Sequence, residues 1–126
     1  LALLQRLEIV WQEQSARIRE LALAERGPVS FPDSQLADNA QYWLAESYYV
    51  TDQFEEALTQ FQVVLSRYPR SRKLPDALLK IGYSNYELGR WAGARSALEK
   101  VRDDFPDSTA ARLAEQRLNR MTDEGY

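Results

Sequence analysis

The sequence predicts an all-α protein: two helical hairpins stacked as an α-solenoid, with an N-terminal helix before them and a capping helix after them. Three observations carry this. Aromatic-proline pairs recur at Phe31-Pro32, Tyr68-Pro69 and Phe105-Pro106, each proline 37 residues after the one before, and a serine stands two positions beyond each (Ser34, Ser71, Ser108). A strict period of this size is the mark of stacked repeats. Ala, Leu, Glu, Gln and Arg are abundant while Val and Ile are scarce, a composition of good helix formers. Finally, residues 38–71 and 75–108 align without gaps: Ala40 with Ala77, Leu44 with Ile81, Ala45 with Gly82, Tyr49 with Tyr86, Phe54 with Trp91, Ala57 with Ala94, Phe61 with Leu98 and Val64 with Val101.

The first 30 residues lack the repeat signature, with Glu20, Ala24 and Gly27 where an Ala, an aromatic and a small residue are expected. Leu4, Leu7, Trp11, Ile18 and Leu21 alternate three and four apart, interrupted by Gln14, which predicts one helix over 2–26 ended by Gly27-Pro28. Residues 1–30 read two ways, as a cap on the stack (a helix or degenerate repeat) or as a self-association segment that would make a homo-oligomer. At least three repeats are usually needed for stability, so this segment or another copy is expected to cover the exposed face of the 38–50 helix.

Residues 31–126 form the repeat domain. In its first repeat, 38–71, Leu44, Tyr48 and Val50 follow a helical stripe, and Asp52 is expected to cap the second helix with Glu55 as its capping-box partner. In the second, 75–108, Gly89 suits a helix end with positive φ. Each second helix stops at an aromatic-proline pair because proline cannot continue it. Ala45 and Gly82, opposite Ala57 and Ala94, allow the close backbone approach of an αα-hairpin. Trp43 and Trp91 are assigned to core or inter-repeat packing. A capping helix over 109–121 carries Ala110, Leu113, Ala114 and Leu118 on one stripe and Arg112, Glu115, Arg117 and Arg120 on a solvated side; residues 122–126 are expected to fray.

Little chemistry of catalysis is present. The chain has no histidine and no cysteine, which removes the commonest general base, the commonest metal ligand and the thiolate nucleophile. Ser47 and Ser84 have no base to activate them, Asp103 and Asp104 point apart on a helix, and Gly89 and Gly93 are too sparse for a phosphate loop. No catalytic residue, cofactor or metal is expected. A net charge of −3 with interspersed signs opposes a nucleic-acid binder, and no apolar run approaches the roughly 20 residues that span a bilayer. No signal peptide is visible. The chain begins at Leu1, as a piece of a longer protein would, with any targeting segment upstream.

Stacked repeats make extended concave surfaces, which turns the functional question toward binding. On the first helix of each repeat, Leu44, Ala45 and Tyr48, and Ile81, Gly82 and Asn85, are expected to face the core. Displaced around the helix are Tyr42, Glu46 and Tyr49, then Leu79, Tyr83 and Tyr86, each trio on one face. Asn39, Asp76 and Lys80 border them. These nine residues are the expected partner-binding groove; the alternative for some of the rings is packing between helices.

The small-residue, aromatic and terminal-proline pattern resembles the tetratricopeptide repeat, whose usual period is roughly 34 residues; Arg72, Lys73 and Leu74 supply a spacer between the two units. The stretches YWLAESYY, RYP-x-S followed by K-x-PDALLKIG, and FPDS-x-AARLAEQRL resemble more closely the C-terminal repeat domain of the YbgF/CpoB family, over about residues 31–121. That resemblance implies a non-enzymatic periplasmic adaptor of the Tol-Pal system. Its partners would be TolA and a peptidoglycan synthase, and it would coordinate cell-wall synthesis with outer-membrane constriction in division, without inserting into the membrane. The family carries an N-terminal trimerising coiled coil and a linker, and usually a further good repeat where residues 1–30 stand here. The rival readings are the repeat module of an outer-membrane assembly lipoprotein, or a generic peptide-binding adaptor.

Overall fold

The computed structural model describes residues 5–6, 9–15 and 35–126. Residues 5–6 and 9–15 are helical. The rest of the expected 2–26 helix, including Leu4, Leu7, Ile18 and Leu21, lies outside the described residues, as do Gly27-Pro28, Phe31-Pro32 and Ser34. Five helices follow: α1 (Gln35–Val50), α2 (Phe54–Arg67), α3 (Leu74–Glu87), α4 (Trp91–Asp104) and α5 (Thr109–Asp123). Each packs against the next, and α3 also packs against α5, the connectivity of sequential hairpins in an α-solenoid.

Both hairpins turn the same way. Asp52 N–H donates to Tyr49 O (3.1 Å) and Gln53 N–H to Tyr48 O (2.9 Å); one period later Gly89 N–H donates to Tyr86 O (3.0 Å) and Arg90 N–H to Asn85 O (2.8 Å). This pair of bonds, with a left-handed residue between helix and turn, is the Schellman closure. Gly89 has φ 74°, as expected. Asp52 corrects the sequence reading: it occupies the equivalent left-handed place with φ 61°, and Gln53 is the residue preceding α2, with no side-chain cap. A residue in that place closes the helix behind it and is not free to cap the one ahead. A short polar side chain makes aspartate one of the few non-glycine residues tolerated there.

The aromatic-proline pairs also repeat in backbone detail. Tyr68 N–H donates to Val64 O and Phe105 N–H to Val101 O, both at 3.0 Å, and the serines' N–H groups return to Tyr68 O and Phe105 O, again at 3.0 Å. The serine side chains then diverge. Ser108 Oγ accepts from Ala111 N–H (3.0 Å) and caps α5. Ser71 Oγ accepts from Lys73 N–H (3.0 Å), because the spacer delays α3 until Leu74, where Pro75 occupies the first turn and has no N–H to satisfy.

Two core clusters result. Ala45, Ala57, Phe61, Val64, Ala77 and Ile81 belong to one; Ala94, Leu98, Val101, Ala114, Leu118 and Met121 belong to the other, and Leu65 packs against both. Leu44, assigned to the core from its stripe, is 38% exposed; Trp43 and Tyr48 pack against the first cluster instead. Val10, Trp11 and Gln14 line an open crevice of about 170 Å³ together with Trp43, Glu46, Ser47 and Val50 of α1. At the other end, α5 runs two residues further than expected, and the residues after it are held. Gly125 (φ 91°) makes a third closure, with Gly125 N–H to Thr122 O and Tyr126 N–H to Met121 O, and Tyr126 stacks on Trp91 at 3.7 Å.

Candidate partner-binding face

The tyrosine row is built on α1 and α3 and extended by α5. Tyr49 meets the ring of Phe54 edge-on at 5.4 Å, and Tyr86 meets Trp91 the same way at 5.3 Å, so the first residue of each following helix props the last tyrosine of the one before. Cations are interleaved with these rings. Lys80 Nζ lies 4.4 Å from the Tyr49 ring centroid and 5.9 Å from that of Tyr83, and it pairs with Glu46 Oε1 at 3.1 Å. Arg117 lies 4.1 Å from the Tyr83 centroid and 4.8 Å from that of Tyr86. Arg120 is 5.5 Å from the Tyr86 centroid. The Tyr86 hydroxyl donates to Glu124 Oε1 at 2.5 Å, and Arg120 Nε donates to Glu124 Oε2 at 3.4 Å.

Of the nine residues expected in the groove, Glu46, Tyr49, Lys80, Tyr83 and Tyr86 come together in this ladder. Tyr42 and Leu79 do not present themselves there. Tyr42 is 7% exposed and packs edge-on to Phe61 at 5.6 Å, and Leu79 is 4% exposed in the second core cluster. Tyr42 takes the alternative left open for the rings, packing between helices; Leu79 corrects the sequence reading, because the roll of α3 turns it into the core. Asn39, the fifth residue of α1, and Asp76, in the first turn of α3, are half-buried.

Burial sets the proton affinity of these phenols. It pushes Tyr49 up to about 12, with the Glu87 carboxylate adding to the effect. Burial also raises Tyr42, helped by Glu46 and Asp76, and raises Tyr83 against the pull of Arg117. Tyr86 is raised chiefly by its hydrogen bond to Glu124, and the same bond holds the Glu124 carboxyl below its usual range. All four hydroxyls are therefore protonated at neutral pH.

Sequence reasoning read Arg117 and Arg120 as a solvated side and Glu124 as frayed. The period was the signal that could have found them. Arg117 is 37 residues after Lys80, and Glu124 is 37 after Glu87, so the capping helix and the residue after it repeat the decoration of α3. Among the described residues no cluster of acidic side chains could hold a metal ion, and no helix is long and apolar enough to cross a membrane.

Paired antiparallel helices at a fixed period, with decorated faces aligned from one unit to the next, define a helical-repeat interaction protein. The tetratricopeptide repeat profile matches residues 39–71 and 76–108, just over half of the chain. The protein belongs to the tetratricopeptide repeat family, whose domains are generally protein–protein interaction modules and typically non-catalytic. No curated protein matches the chain.

Proposed function

We propose that this protein is a non-enzymatic adaptor that receives an extended or helical segment of another protein on the concave face of its repeats. The observation that carries this reading is the ladder of half-buried tyrosines, Tyr49, Tyr83 and Tyr86, running across two successive repeats with cations between the rings. Tyrosine supplies a large rigid contact area and a hydroxyl at little entropic cost, and it is enriched at interfaces for that reason. Glu46 and Lys80 form part of the same surface, Asn39 and Asp76 border it, and Tyr42 and Leu79 support it from the core.

The motifs YWLAESYY, K-x-PDALLKIG and FPDS-x-AARLAEQRL support a finer reading. In that reading the adaptor is periplasmic, resembles the YbgF/CpoB proteins, and engages TolA and a peptidoglycan synthase to coordinate wall synthesis with outer-membrane constriction. The 1–30 segment serves there as the cap of the stack or as the contact between copies.

The test is a quantitative pull-down of purified TolA and of periplasmic extract. The double variant Tyr83→Ala/Tyr86→Ala is expected to lose the retained partner, since truncating an interface anchor costs about 2 kcal/mol or more. Unchanged capture by a variant whose melting curve matches the parent rejects the groove. Capture of a partner other than TolA, lost in the double variant, keeps the groove and rejects the Tol-Pal assignment.

A further inference from the structure

Of the differences between the two halves of the ladder, one removes a carboxylate. Glu46 on α1 stands 37 residues before Tyr83 on α3, and Lys80 on α3 stands 37 before Arg117 on α5. In the first half the cation is neutralised, because Lys80 pairs with Glu46 while lying over Tyr49. In the second half the place of that carboxylate is taken by the Tyr83 ring. Arg117 therefore lies over Tyr83 and Tyr86 with no ion pair among the described residues, and its Nη1 is buried without a hydrogen-bond partner. A guanidinium held over two rings without an ion pair has a planar carboxylate as its matching fork partner.

Among the described residues, the carboxylate hydrogen-bonded at this end is that of Glu124, and it meets the cations incompletely. Glu124, in the turn after α5, accepts from Tyr86 Oη and from Arg120 Nε. It does not reach Arg117 within ion-pair distance among the described residues. The turn is held by the Gly125 closure and by the Tyr126 stack on Trp91, contacts outside the ladder itself.

We propose that the Tyr83–Tyr86–Arg117–Arg120 end of the face takes a carboxylate of an acidic partner segment, and that Glu124 occupies part of that place in the free protein as an internal competitor. This inference rests on reading the face as a partner-binding surface and names the chemistry of the partner. The incoming carboxylate bonds the Arg117 guanidinium and displaces Glu124 from Tyr86 and Arg120. Affinity is then set by the difference between an external acid that reaches Arg117 and an internal one that does not. At the Lys80 end the cation is paired with Glu46 Oε1, and the buried atom without a partner there is an acceptor, Glu46 Oε2, which an incoming carboxylate does not meet; that end contributes ring contact.

The probes are two short fluorescein-labelled, amidated peptides, one of alternating glutamate and alanine and one with glutamine in place of glutamate, titrated against the full chain by fluorescence anisotropy. The glutamate peptide is expected to bind more tightly than the glutamine peptide. Glu124→Gln is expected to tighten the glutamate peptide about threefold or more, and Arg117→Gln to weaken it about tenfold and abolish the preference. Arg117→Lys, which keeps the charge and loses the fork, should retain the preference at lower affinity. Melting curves of each variant separate loss of binding from loss of fold. Equal binding of the two peptides, an unchanged affinity in Glu124→Gln, or no binding of the glutamate peptide to the parent and to Glu124→Gln up to millimolar concentration overturns the inference. If both peptides bind equally and Tyr83→Ala weakens both, the groove itself stands and only its acidic preference falls.

Discussion

Both hairpins close through a residue with positive φ, prop a tyrosine against the first aromatic of the following helix, and end on an aromatic-proline pair whose backbone bonds agree to within a tenth of an ångström. They differ in what those matched positions carry. Asp52 stands against Gly89, Ala45 against Gly82, Phe61 against Leu98, and Glu46 against Tyr83. The repeat thus fixes backbone geometry and leaves the side chains to be exchanged. In the core both members of a contacting pair become smaller, from Ala45 and Phe61 to Gly82 and Leu98, and the Leu98 side chain lies against the bare Gly82 backbone. On the binding face the exchange changes the chemistry, because the charge that Glu46 cancels in one unit is left open by Tyr83 in the next.

The largest expected effect tests this contact in the core. Leu98 is fully buried, and a Cβ built on Gly82 would stand 2.6 Å from Leu98 Cδ2 and 2.7 Å from its Cγ. Leu98→Ala is expected to cost about 2–5 kcal/mol by opening a cavity. Gly82→Ala alone is expected to destabilise by about 1–2 kcal/mol, because overpacking outweighs the gain in helix propensity. In the Leu98→Ala background the same Gly82→Ala change is expected to turn neutral or stabilising. Urea unfolding of the two single variants and the double variant supplies the cycle. Additive effects would mean that Gly82 and Leu98 do not share this space.

The fold was legible because the period and the small residues express backbone constraints that few residues satisfy. Proline after an aromatic, glycine at a left-handed position and Ala or Gly at a close approach each leave a mark on a single sequence. The candidate face was only partly legible, because helical spacing alone does not decide how far a helix rolls. Tyr42 and Leu79 share spacing with Tyr49 and Tyr86 yet are buried, while Leu44, read as core, is 38% exposed. Asp52 was misplaced because Asp followed three residues later by Glu satisfies a capping-box pattern, whereas its left-handed role shows only when it is aligned on Gly89. Glu124 and Arg117 depend on contacts between α3 and the end of α5, which local sequence does not encode.

A smaller effect separates the two turns. A Cβ on Gly89 would meet only Trp91 at an ordinary 3.9 Å, so the cost of Gly89→Ala is the backbone conformation itself, about 1 kcal/mol. Asp52→Gly relieves the same conformation and is expected to change stability by a few tenths of a kcal/mol or to stabilise slightly. Thermal unfolding of both variants gives the comparison. A strongly destabilised Asp52→Gly would show that the Asp52 side chain contributes more to the first turn than its left-handed backbone costs.

The smallest effect lies in how the two matched tyrosines hold their protons. Tyr49 is pushed up to about 12 chiefly by burial, whereas Tyr86 is raised chiefly by its hydrogen bond to Glu124. A phenol whose folded pKa is raised contributes stability that is fully present below its unfolded value near 10, and that contribution is lost as pH rises through the folded value. Alkaline destabilisation is therefore expected to set in above about pH 10, with Tyr49 ionising near 12. Difference absorbance at 295 nm between the parent and Tyr49→Phe should isolate that late step. In Glu124→Gln the Tyr86 step should move down while the Tyr49 step stays in place, because only one of the two depends on the turn after α5. If Tyr49 ionises near the ordinary value, or if both steps move together in Glu124→Gln, the two tyrosines are not raised by separate causes, and the distinction between a buried end and a hydrogen-bonded end of the ladder fails.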